Sequence, residues 1–540
     1  MTDAAATSPA EAAAKAAVVR DDTMPRGIPY IVANEFAERF CYYGINAILS
    51  VYMTRFLSLG EADATTYHSL FKSAAYFSPL IGAIVSDVFW GKFKTILTFS
   101  MSYCAGCAIV AIVPGTTGLL VGLTLVALGT GGIKPCVSTN VGDQFTSKNQ
   151  HLIERAFSYF YLAINAGSSI SIFFCPILLD KYGRLPAFGM PAVMMFLATI
   201  VFWLGRKKFA VVPPAGKKWV DDIFSKQGLQ TLLGLGVIYI FLAPWWGLWE
   251  QSNGQTWTLQ AESSLMDKTL AFGWVIKPAQ IQVVNGLFIL ALVPVFTFVV
   301  FPLWAKVTKV TPLRKIAIGL FLMAIAYLIV SNIEAHIQAG QSVSVWWQIL
   351  AYVVLTMSEV LVSITGLEFS YKQAPLRMKS FVMALFLFSI SLGDMLNAGV
   401  NHFMIDPVTI DTVEVGADTW VQMPDVKRFI VGQKIDFDGP NGVTITKEGK
   451  KVPLKGTFLV EKIDEAAHKL ALMDVVERKP IASTGAYVAE KSKVSTYALV
   501  GPQYFNFYAG LITIVGVLFI GVAILYKEKN HYREEGEGAV

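Results

Sequence analysis

Asn34-Glu-Phe-Ala-Glu-Arg-Phe-Cys-Tyr-Tyr-Gly-Ile-Asn46 lies inside an apolar segment, residues 28–57, that is long enough to span a membrane as a helix. One helical face carries the polar residues of this stretch: Glu35, Glu38, Arg39, Tyr42 and Asn46. At 1.5 Å per residue, the three charges lie about 10 to 17 Å from the start of the segment, near the middle of a hydrocarbon core of roughly 30 Å. Each charge at that depth costs at least about 2.5–3.5 kcal/mol.

Such a charged stripe predicts a polar cavity or an ion pathway. The alternative is a neutral Glu35–Arg39 pair that only holds helices together. One arginine cannot neutralise two glutamates, and the second carboxylate favours the functional interpretation.

The composition excludes an ordinary soluble protein. Of the 540 residues, 54% are hydrophobic and 15% are charged, and the mean hydropathy is +0.52. We therefore expect an all-α polytopic membrane protein with the lipid bilayer as its surroundings. The net charge of +5 does not indicate nucleic acid as a partner, because the basic residues cluster in short loops between apolar segments. The five cysteines fall in these segments without nearby histidines, so neither a metal site nor a disulfide is predicted.

Twelve segments have the length of membrane spans: 28–57, 66–90, 94–113, 118–142, 156–180, 187–206, 229–258, 279–304, 313–333, 344–371, 379–404 and 503–527. The intervals 91–94, 148–155, 206–226, 306–315 and 372–379, all on one side, hold 17 Lys/Arg. The short connections on the other side, apart from the long interval 405–500, hold four, namely Lys181, Arg184, Lys268 and Lys277. This bias places both termini in the cytoplasm. The expected division is a disordered cytoplasmic N-terminus at 1–26, a six-helix bundle at 27–206, a cytoplasmic linker at 207–228, a second bundle at 229–404 with 501–527, and a cytoplasmic tail at 528–540.

Residues 405–500 interrupt the pattern between the eleventh and twelfth spans. Of the 93 residues at 406–498, 27 are charged, and runs such as Val443-Thr-Ile-Thr446 alternate in polarity as strands do. A small β-rich, outward-facing insert is predicted. It acts as a lid or a docking surface, or it is a tolerated insertion without a role.

Isolated polar groups in other spans indicate what the cavity holds. The positive charges Arg39 and Lys134 belong to the N-terminal half, and the acids Glu250 and Glu359 belong to the C-terminal half. A small zwitterion complements such walls, with its carboxylate toward Arg39 and Lys134 and its ammonium toward Glu359. A di- or tripeptide, at roughly 3.3–3.6 Å per residue, spans the gap. The alternative is that Lys134 and Glu250 only form inter-helix ion pairs. Varied side chains would be accepted by the aromatic residues Tyr42, Tyr43, Tyr76 and Trp246.

Protons are the expected coupling ion. Burial favours the neutral form of a carboxyl group, whereas adjacent positive charge favours the ionised form. A substrate carboxylate that competes for Arg39 would therefore release Glu35 or Glu38 to bind a proton. His68, near the outer end of the second span, is placed to sense external protons; the alternative is a lone surface histidine.

At these residues the sequence resembles the proton-dependent oligopeptide transporter family of the major facilitator superfamily. Three motifs carry the resemblance: Glu35-Phe-Ala-Glu-Arg-Phe-Cys-Tyr-Tyr43, Gly82-Ala-Ile-Val-Ser-Asp-Val-Phe-Trp-Gly-Lys92 and Phe160-Tyr-Leu-Ala-Ile-Asn-Ala-Gly-Ser168. Three others are similar to the animal peptide transporters in particular: Gly131-Gly-Ile-Lys-Pro-Cys-Val-Ser138, Trp257-Thr-Leu-Gln-Ala261 and Glu359 with Thr365-Gly-Leu-Glu-Phe-Ser-Tyr371.

The resemblance implies the major facilitator fold, with twelve transmembrane helices in two six-helix bundles, and proton-driven import of di- and tripeptides. It further implies a plasma (inner) membrane location, a monomer, and no cofactor besides protons. The proton-coupling residues would be Glu35, Glu38, Arg39, Lys134 and Glu250, with His68 added from its position. The substrate-binding residues would be Arg39, Tyr42, Tyr43, Asn46, Tyr76, Lys134, Asn165, Trp246, Asn285, Glu359 and Ser363. The conformational residues would be Gly82, Asp87, Gly91 and Lys92.

Two departures from the family pattern bear on these roles. Asn46 stands where the family often has a second arginine, so carboxylate binding would depend more on Arg39 and Lys134. The insert follows the eleventh span, whereas the animal relatives carry their outer domain between the ninth and tenth.

Other functions remain open at this point. In one alternative, a protein of the same fold transports nitrate, another small anion or an amino-acid derivative. A pure anion, however, has no ammonium group for Glu359 to bind. In another, the chain is a membrane peptide sensor with the insert as its receptor domain. An enzyme is not expected, because no nucleophile–base pair occurs at a useful spacing.

Overall fold

The computed structural model describes residues 22–526 except 147, 150, 151, 212, 215, 217–219, 222, 374–378, 439, 440, 448, 449 and 490–492. The expected tail at 528–540 and most of the expected disordered N-terminus at 1–26 lie outside the described residues. The described chain contains twelve long helices, α1–α12: Ile28–Val51, Glu61–Ile84, Lys92–Ile112, Gly115–Asp143, Ile153–Tyr182, Arg184–Leu204, Lys226–Ser252, Val283–Val295, Pro312–Gln338, Val345–Glu359, Lys379–Phe403 and Pro502–Leu525.

Four of these helices continue through a wider, π-helical turn. The turns follow α1, α2, α8 and α10, at Tyr52–Phe56, Val85–Trp90, Phe296–Val300 and Val360–Ile364. After the last two turns the helix resumes at Phe301–Ala305 and Thr365–Gln373. These continuations give α8 and α10 the length that a bilayer requires.

The predicted all-α membrane fold is confirmed. Eleven helices of the described chain are long and apolar enough to cross a membrane. The remaining helix, α1, is as long as the others but contains the charges at Glu35, Glu38 and Arg39. A membrane protein accepts such a helix when protein rather than lipid surrounds its charges.

The twelve helices enclose two apolar cores, as expected for two bundles. One core lies among α1–α6 and includes the fully buried Tyr103 and Phe188. The other lies among α7–α12 and includes Trp245 and Tyr327. Across the junction, α2 packs on α11, where the hydroxyls of Ser73 and Ser391 are 2.9 Å apart. A site between the bundles is therefore lined by helices from both halves of the chain.

The β-rich insert between α11 and α12 is confirmed. Strands β1 and β2, at Met266–Asp267 and Val343–Ser344, pair in loops of the second half, and the other ten strands belong to the insert. The insert strands β3–β12 are Ile405–Pro407, Thr412–Glu414, Trp420–Gln422, Lys434–Asp438, Val443–Lys447, Lys450–Pro453, Gly456–Asp464, Lys469–Asp474, Ser483–Gly485 and Lys493–Tyr497. They form a seven-stranded antiparallel sheet in the order β3-β12-β6-β9-β10-β5-β4 and a three-stranded sheet in the order β11-β7-β8.

The insert contacts the ends of both bundles. Lys434 forms an ion pair with Glu61 at the start of α2, and the Thr457 hydroxyl accepts a hydrogen bond of 3.1 Å from the Glu61 amide. In the second half, the Ser264 amide donates to the Val476 carbonyl at 3.0 Å. The insert thus connects the bundles on one side of the molecule, which we call the insert side.

Asp436 is a buried acid at this junction. The Tyr497 hydroxyl donates to its carboxylate. Burial raises the pKa of Asp436 from the ordinary 3.8 to about 6, because hydrogen bonds from Thr457 and Tyr497 only partly offset it and the charge of Glu61 adds to it. Protonation of Asp436 near pH 6 therefore changes the charge at the junction where the insert docks.

We expect Asp436→Asn to flatten the pH dependence of stability. Below about pH 3.8 the wild-type carboxyl is protonated in both the folded and the unfolded protein, so its raised pKa does not change the free energy of unfolding. Between about pH 3.8 and 6 the carboxyl is ionised in the unfolded chain but still protonated in the folded protein. The free energy of unfolding therefore falls by roughly 3 kcal/mol over this range, and it stays lower above pH 6. Thermal unfolding of purified protein between about pH 4 and 7 measures this. The variant should gain stability over wild type as pH rises, and identical profiles would contradict the assignment.

Candidate functional site

Arg39 lies between the two carboxylates of α1. Its Nε is 2.7 Å from Glu35 Oε1 and 3.4 Å from Glu38 Oε2. Both glutamates are buried, whereas the Arg39 side chain remains 17% exposed. Neither oxygen of Glu38 has a hydrogen-bond partner among the described residues. One guanidinium thus pairs with two buried acids, and an anion that binds Arg39 weakens its interaction with both of them.

Lys134, on α4, is held by aromatic rings. Its Nζ lies 4.0 Å from the ring centre of Tyr42 and 4.3 Å from that of Tyr76. Lys134 makes no direct contact with the carboxylates of Glu35 and Glu38 on α1. These acids act on Lys134 electrostatically, but within the described chain its Nζ has no hydrogen-bond partner. Ring faces attract a cation without occupying its donors, so the ammonium keeps them for a ligand.

Tyr43 interacts electrostatically with charges of both halves. Electrostatic interactions reach it from Arg39 and Glu38 on α1, and from Glu250 on α7 and Glu359 on α10. Its ring packs edge-on against Tyr42, with 5.4 Å between ring centres. Charges from both of the expected walls therefore act on this one tyrosine, and the cavity itself remains a prediction.

Glu359 and Asn285 form the acidic part of the site in the second half. Asn285 Nδ2 donates to Glu359 Oε2 at 2.7 Å and to the Thr356 hydroxyl at 3.1 Å. Ser363 lies one helical turn beyond Glu359, in the π-helical turn, and is half-buried. A carboxylate held by an amide in this way is oriented but not neutralised, which suits the binding of an ammonium group.

The other predicted binding residues occupy separate parts of the two halves. Trp246 packs in an aromatic cluster of the second half, 4.8 Å from Trp245 and 5.9 Å from Phe386 between ring centres. Asn165 is half-buried on α5. The structure thus groups Lys134 with Tyr42 and Tyr76, and places Trp246 in an aromatic cluster of the second half.

His68 is not a surface residue. It is fully buried, with Nδ1 2.7 Å from the Ser50 hydroxyl and Nε2 2.7 Å from Asn46 Oδ1. Asn46 in turn donates from Nδ2 to the Asn253 carbonyl at 3.1 Å, in the other half. The surface alternative fails because α1 packs over this face of α2. Both Asn46 and His68 therefore lie in a chain of hydrogen bonds that joins the halves.

Glu250 is paired, contrary to its interpretation as an isolated acid. Lys72 Nζ on α2 lies 2.6 Å from Glu250 Oε2, and both side chains are almost completely buried. The sequence reasoning missed Lys72, although a lysine inside the second span was a signal of the same kind as the charges in the first. Its partner lies 178 residues away in the chain, a separation at which helix periodicity carries no information.

The predicted conformational residues surround the α2–α3 connection. Gly91 ends the continued α2 with φ of +75°, a conformation that favours glycine. Lys92 forms an ion pair with Asp143 at the end of α4. Gly82 lies where α2 crosses α4, because a Cβ on Gly82 would be 2.2 Å from the Gly131 carbonyl oxygen. Asp87 is half-buried in the π-helical turn. The roles of these residues in conformational change remain a prediction.

Polar contacts join the halves on the insert side. They include Lys72 with Glu250, Asn46 with the Asn253 carbonyl, and Ser69 with Gln255 at 3.1 Å. Gln280 also donates to the Phe173 carbonyl at 2.8 Å, from the loop before α8 to α5. These contacts lie in the insert-side halves of α1, α2 and α5 and at the end of α7. The structure is therefore closed on the insert side.

Comparisons with known proteins identify relatives along most of the chain. A family model described as PTR2, POT family, matches residues 93–229 and 225–421. Solute carrier family 15 member 2 of Homo sapiens is 36% identical over 363 residues, which cover 58% of this chain and 49% of that relative. The chain spans about half the length of the curated relatives that it matches.

Solved structures extend the similarity over nearly the whole chain. The crystal structure of the POT family transporter PepTSo superimposes with a TM-score of 0.69 at 28% identity, and covers 94% of this chain and 100% of that one. Another, of a proton dependent oligopeptide (POT) family transporter, has a TM-score of 0.59 at 33% identity and covers 69% of this chain and 91% of that one.

Proposed function

This chain belongs to the POT family, and from that premise we propose that it is a proton-coupled symporter that imports di- and tripeptides by alternating access. The observation that carries the proposal is that Tyr43 interacts electrostatically with charges of both halves, Arg39 and Glu38 in one and Glu250 and Glu359 in the other. Arg39 and Lys134 offer cationic donors on one side, and Glu359 offers a carboxylate on the other. A peptide zwitterion matches this arrangement, whereas a simple anion leaves Glu359 without a partner.

The peptide carboxylate binds the Lys134 ammonium and Arg39. Lys134 suits this role because its donors are not used within the described chain and the rings of Tyr42 and Tyr76 keep its position. The peptide ammonium binds Glu359, whose carboxylate is oriented by Asn285. Asn165 and Ser363 contribute polar contacts to the backbone, and Trp246 contributes an apolar wall.

Proton coupling follows from the shared guanidinium. When the peptide carboxylate draws Arg39 away, Glu35 and Glu38 are buried acids without their cation. Binding one proton neutralises the excess charge more cheaply than leaving it buried. Peptide and proton are then bound together, and the loss of either favours release of the other.

The cellular setting is also part of the proposal. The Lys/Arg bias of the loops supports a plasma (inner) membrane protein with both termini in the cytoplasm and the insert outside. In that orientation the insert side is the outer side, and the structure is closed toward the outside. We propose a monomer as the transporting unit, with protons as the coupling ion and no further cofactor.

Uptake of labelled dialanine into liposomes tests this function. Purified protein is reconstituted, and an inward proton gradient is set with valinomycin and potassium. We expect accumulation that requires the gradient and that is competed by tripeptides but not by free alanine. Gradient-driven uptake of another solute without dialanine uptake would retain the symporter and overturn the peptide assignment. Binding of peptides without any uptake would indicate a sensor.

A further inference from the structure

Lys72 closes the insert-side end of α7. Its ammonium lies 2.6 Å from Glu250 Oε2 and donates to two backbone carbonyls, those of Glu250 at 3.0 Å and Asn253 at 2.8 Å. An ammonium has three donor hydrogens, so this set saturates it. Both carbonyls lie at the C-terminal end of α7, where the helix carries its partial negative charge. Lys72 is thus bound completely, and its partners all belong to the other half of the chain.

Asp394, on α11, is a second buried acid at this place. Its side chain is fully buried, and neither carboxylate oxygen has a hydrogen-bond partner among the described residues. The adjacent Gly393 lies against α7 so closely that a Cβ would be 2.2 Å from the Ala243 carbonyl oxygen. Electrostatic interactions reach Asp394 from Glu250 on α7 and Lys72 on α2. Neither the family resemblance nor the proposed coupling involves Asp394.

The charges in this cluster do not balance when both acids are ionised. Lys72 supplies one positive charge, and Glu250 already pairs with it. Three other titratable residues interact electrostatically with this cluster. Tyr42 on α1 interacts with Asp394. On α2, Tyr76 interacts with Glu250, and His68 interacts with Lys72. None of them supplies a cation at the Asp394 oxygens. A lone buried charge costs far more than a buried neutral carboxylic acid, so the closed arrangement favours one bound proton.

We propose that closure of the insert side requires one proton on Asp394, which makes Asp394 a further proton-binding residue of the transport cycle. In the open form, Lys72 leaves α7, water reaches the cluster, and Asp394 ionises. Closure brings Lys72 back onto Glu250 and the α7 carbonyls. The positive charge of Lys72 is then paired with Glu250 and does not neutralise Asp394. Asp394 then closes into the interface only as the neutral acid. The inference rests on the proposed alternating access, but not on the identity of the solute.

Distance measurements between the two halves test this step without any substrate. Tyr182, at the end of α5, is 68% exposed, and Phe272, in the loop before α8, is fully exposed. Spin labels attached through non-canonical amino acids at these two positions report the insert-side separation in liposomes across a pH series. Each proton taken up on closing changes the closed-to-open ratio about tenfold per pH unit. Asp394→Asn should make the closed-to-open ratio less dependent on pH by a factor of about ten per pH unit. The insert side of this variant should therefore stay closed at alkaline pH.

Two further variants make the result specific. Lys72→Met leaves the carboxylates of Glu250 and Asp394 without a cation, so closure should require one more proton than in wild type. The closed-to-open ratio should then change by a further factor of about ten per pH unit. Glu414→Gln, which changes an exposed carboxyl on the insert, should leave the wild-type dependence intact. Equal pH dependence in wild type and Asp394→Asn would overturn the proposal, as would a closed state in wild type at every pH. A failure of dialanine uptake alone would overturn the peptide assignment and leave this test unaffected.

Discussion

Lys134→Ala should abolish the proton-gradient-driven accumulation of dialanine. Lys134 is buried, lies over Tyr42 and Tyr76, and makes no hydrogen bond within the described chain, so its charge is available to the peptide carboxylate. Removing one partner of a buried charge pair costs about 2–5 kcal/mol, which corresponds to a loss of at least roughly 30-fold in binding. Glu35 and Glu38 also lose a neighbouring positive charge that acts on them.

Lys208→Ala is a matched control for this prediction. Lys208 also lies over an aromatic ring, 4.5 Å from the centre of Tyr30, but it is exposed at the surface. The control should retain uptake, because its ammonium is solvated in any case. Initial rates and final accumulation of labelled dialanine are measured for both variants. Concentrative uptake by Lys134→Ala would remove Lys134 from the coupling mechanism.

Glu359→Gln should discriminate against peptides with a free amino terminus. The glutamine keeps the size of the side chain but loses the negative charge to which we assign the peptide ammonium. Hydrogen bonds to charged groups contribute about 1.5–3 kcal/mol, so dialanine should bind about 10- to 100-fold more weakly. N-acetyl-dialanine has no ammonium and should lose much less. The measurement is competition by each compound against uptake of a labelled peptide.

Glu334→Gln provides the corresponding control in the same half. Like Glu359, Glu334 accepts a hydrogen bond from an amide side chain, that of Gln260 at 2.8 Å, but it lies on α9 near the insert. Its substitution should change the affinities of the two compounds equally or not at all. An equal loss of both compounds in Glu359→Gln would contradict the assignment of Glu359 to the amino terminus.

Helix-face periodicity within one segment correctly predicted which charged residues of α1 are neighbours. The spacing of Glu35, Glu38 and Arg39 predicted a common face, and the structure brings Arg39 within 2.7 Å and 3.4 Å of the two carboxylates. The reasoning works because residues three and four apart on a helix are neighbours whatever the rest of the chain does. The charged, alternating composition of residues 405–500 likewise predicted the strands that the structure contains.

Contacts between segments distant in the chain were the part that this reasoning missed. Lys72 and Asp394 are single charges in otherwise apolar helices, and nothing in their own segments distinguishes them from a pore residue or an ion-pair partner. His68 and Asn46 show the same limit, because the hydrogen bond between them depends on how α1 packs against α2. The rotation of a helix about its axis decides which neighbour a side chain meets, and packing against other helices sets that rotation.

The sequence by itself determined that this is a membrane protein of twelve helices with a β-rich insert, and that α1 carries a charged stripe. Hydropathy, loop charge and helix spacing are local properties, and they act before any tertiary contact forms. Only the tertiary structure decided that Lys72 binds Glu250 and the end of α7, that Lys134 is held by tyrosine rings, and that the insert connects both bundles. In each case the partners lie far apart in sequence, and only the close packing of helices brings their polar groups within bonding distance.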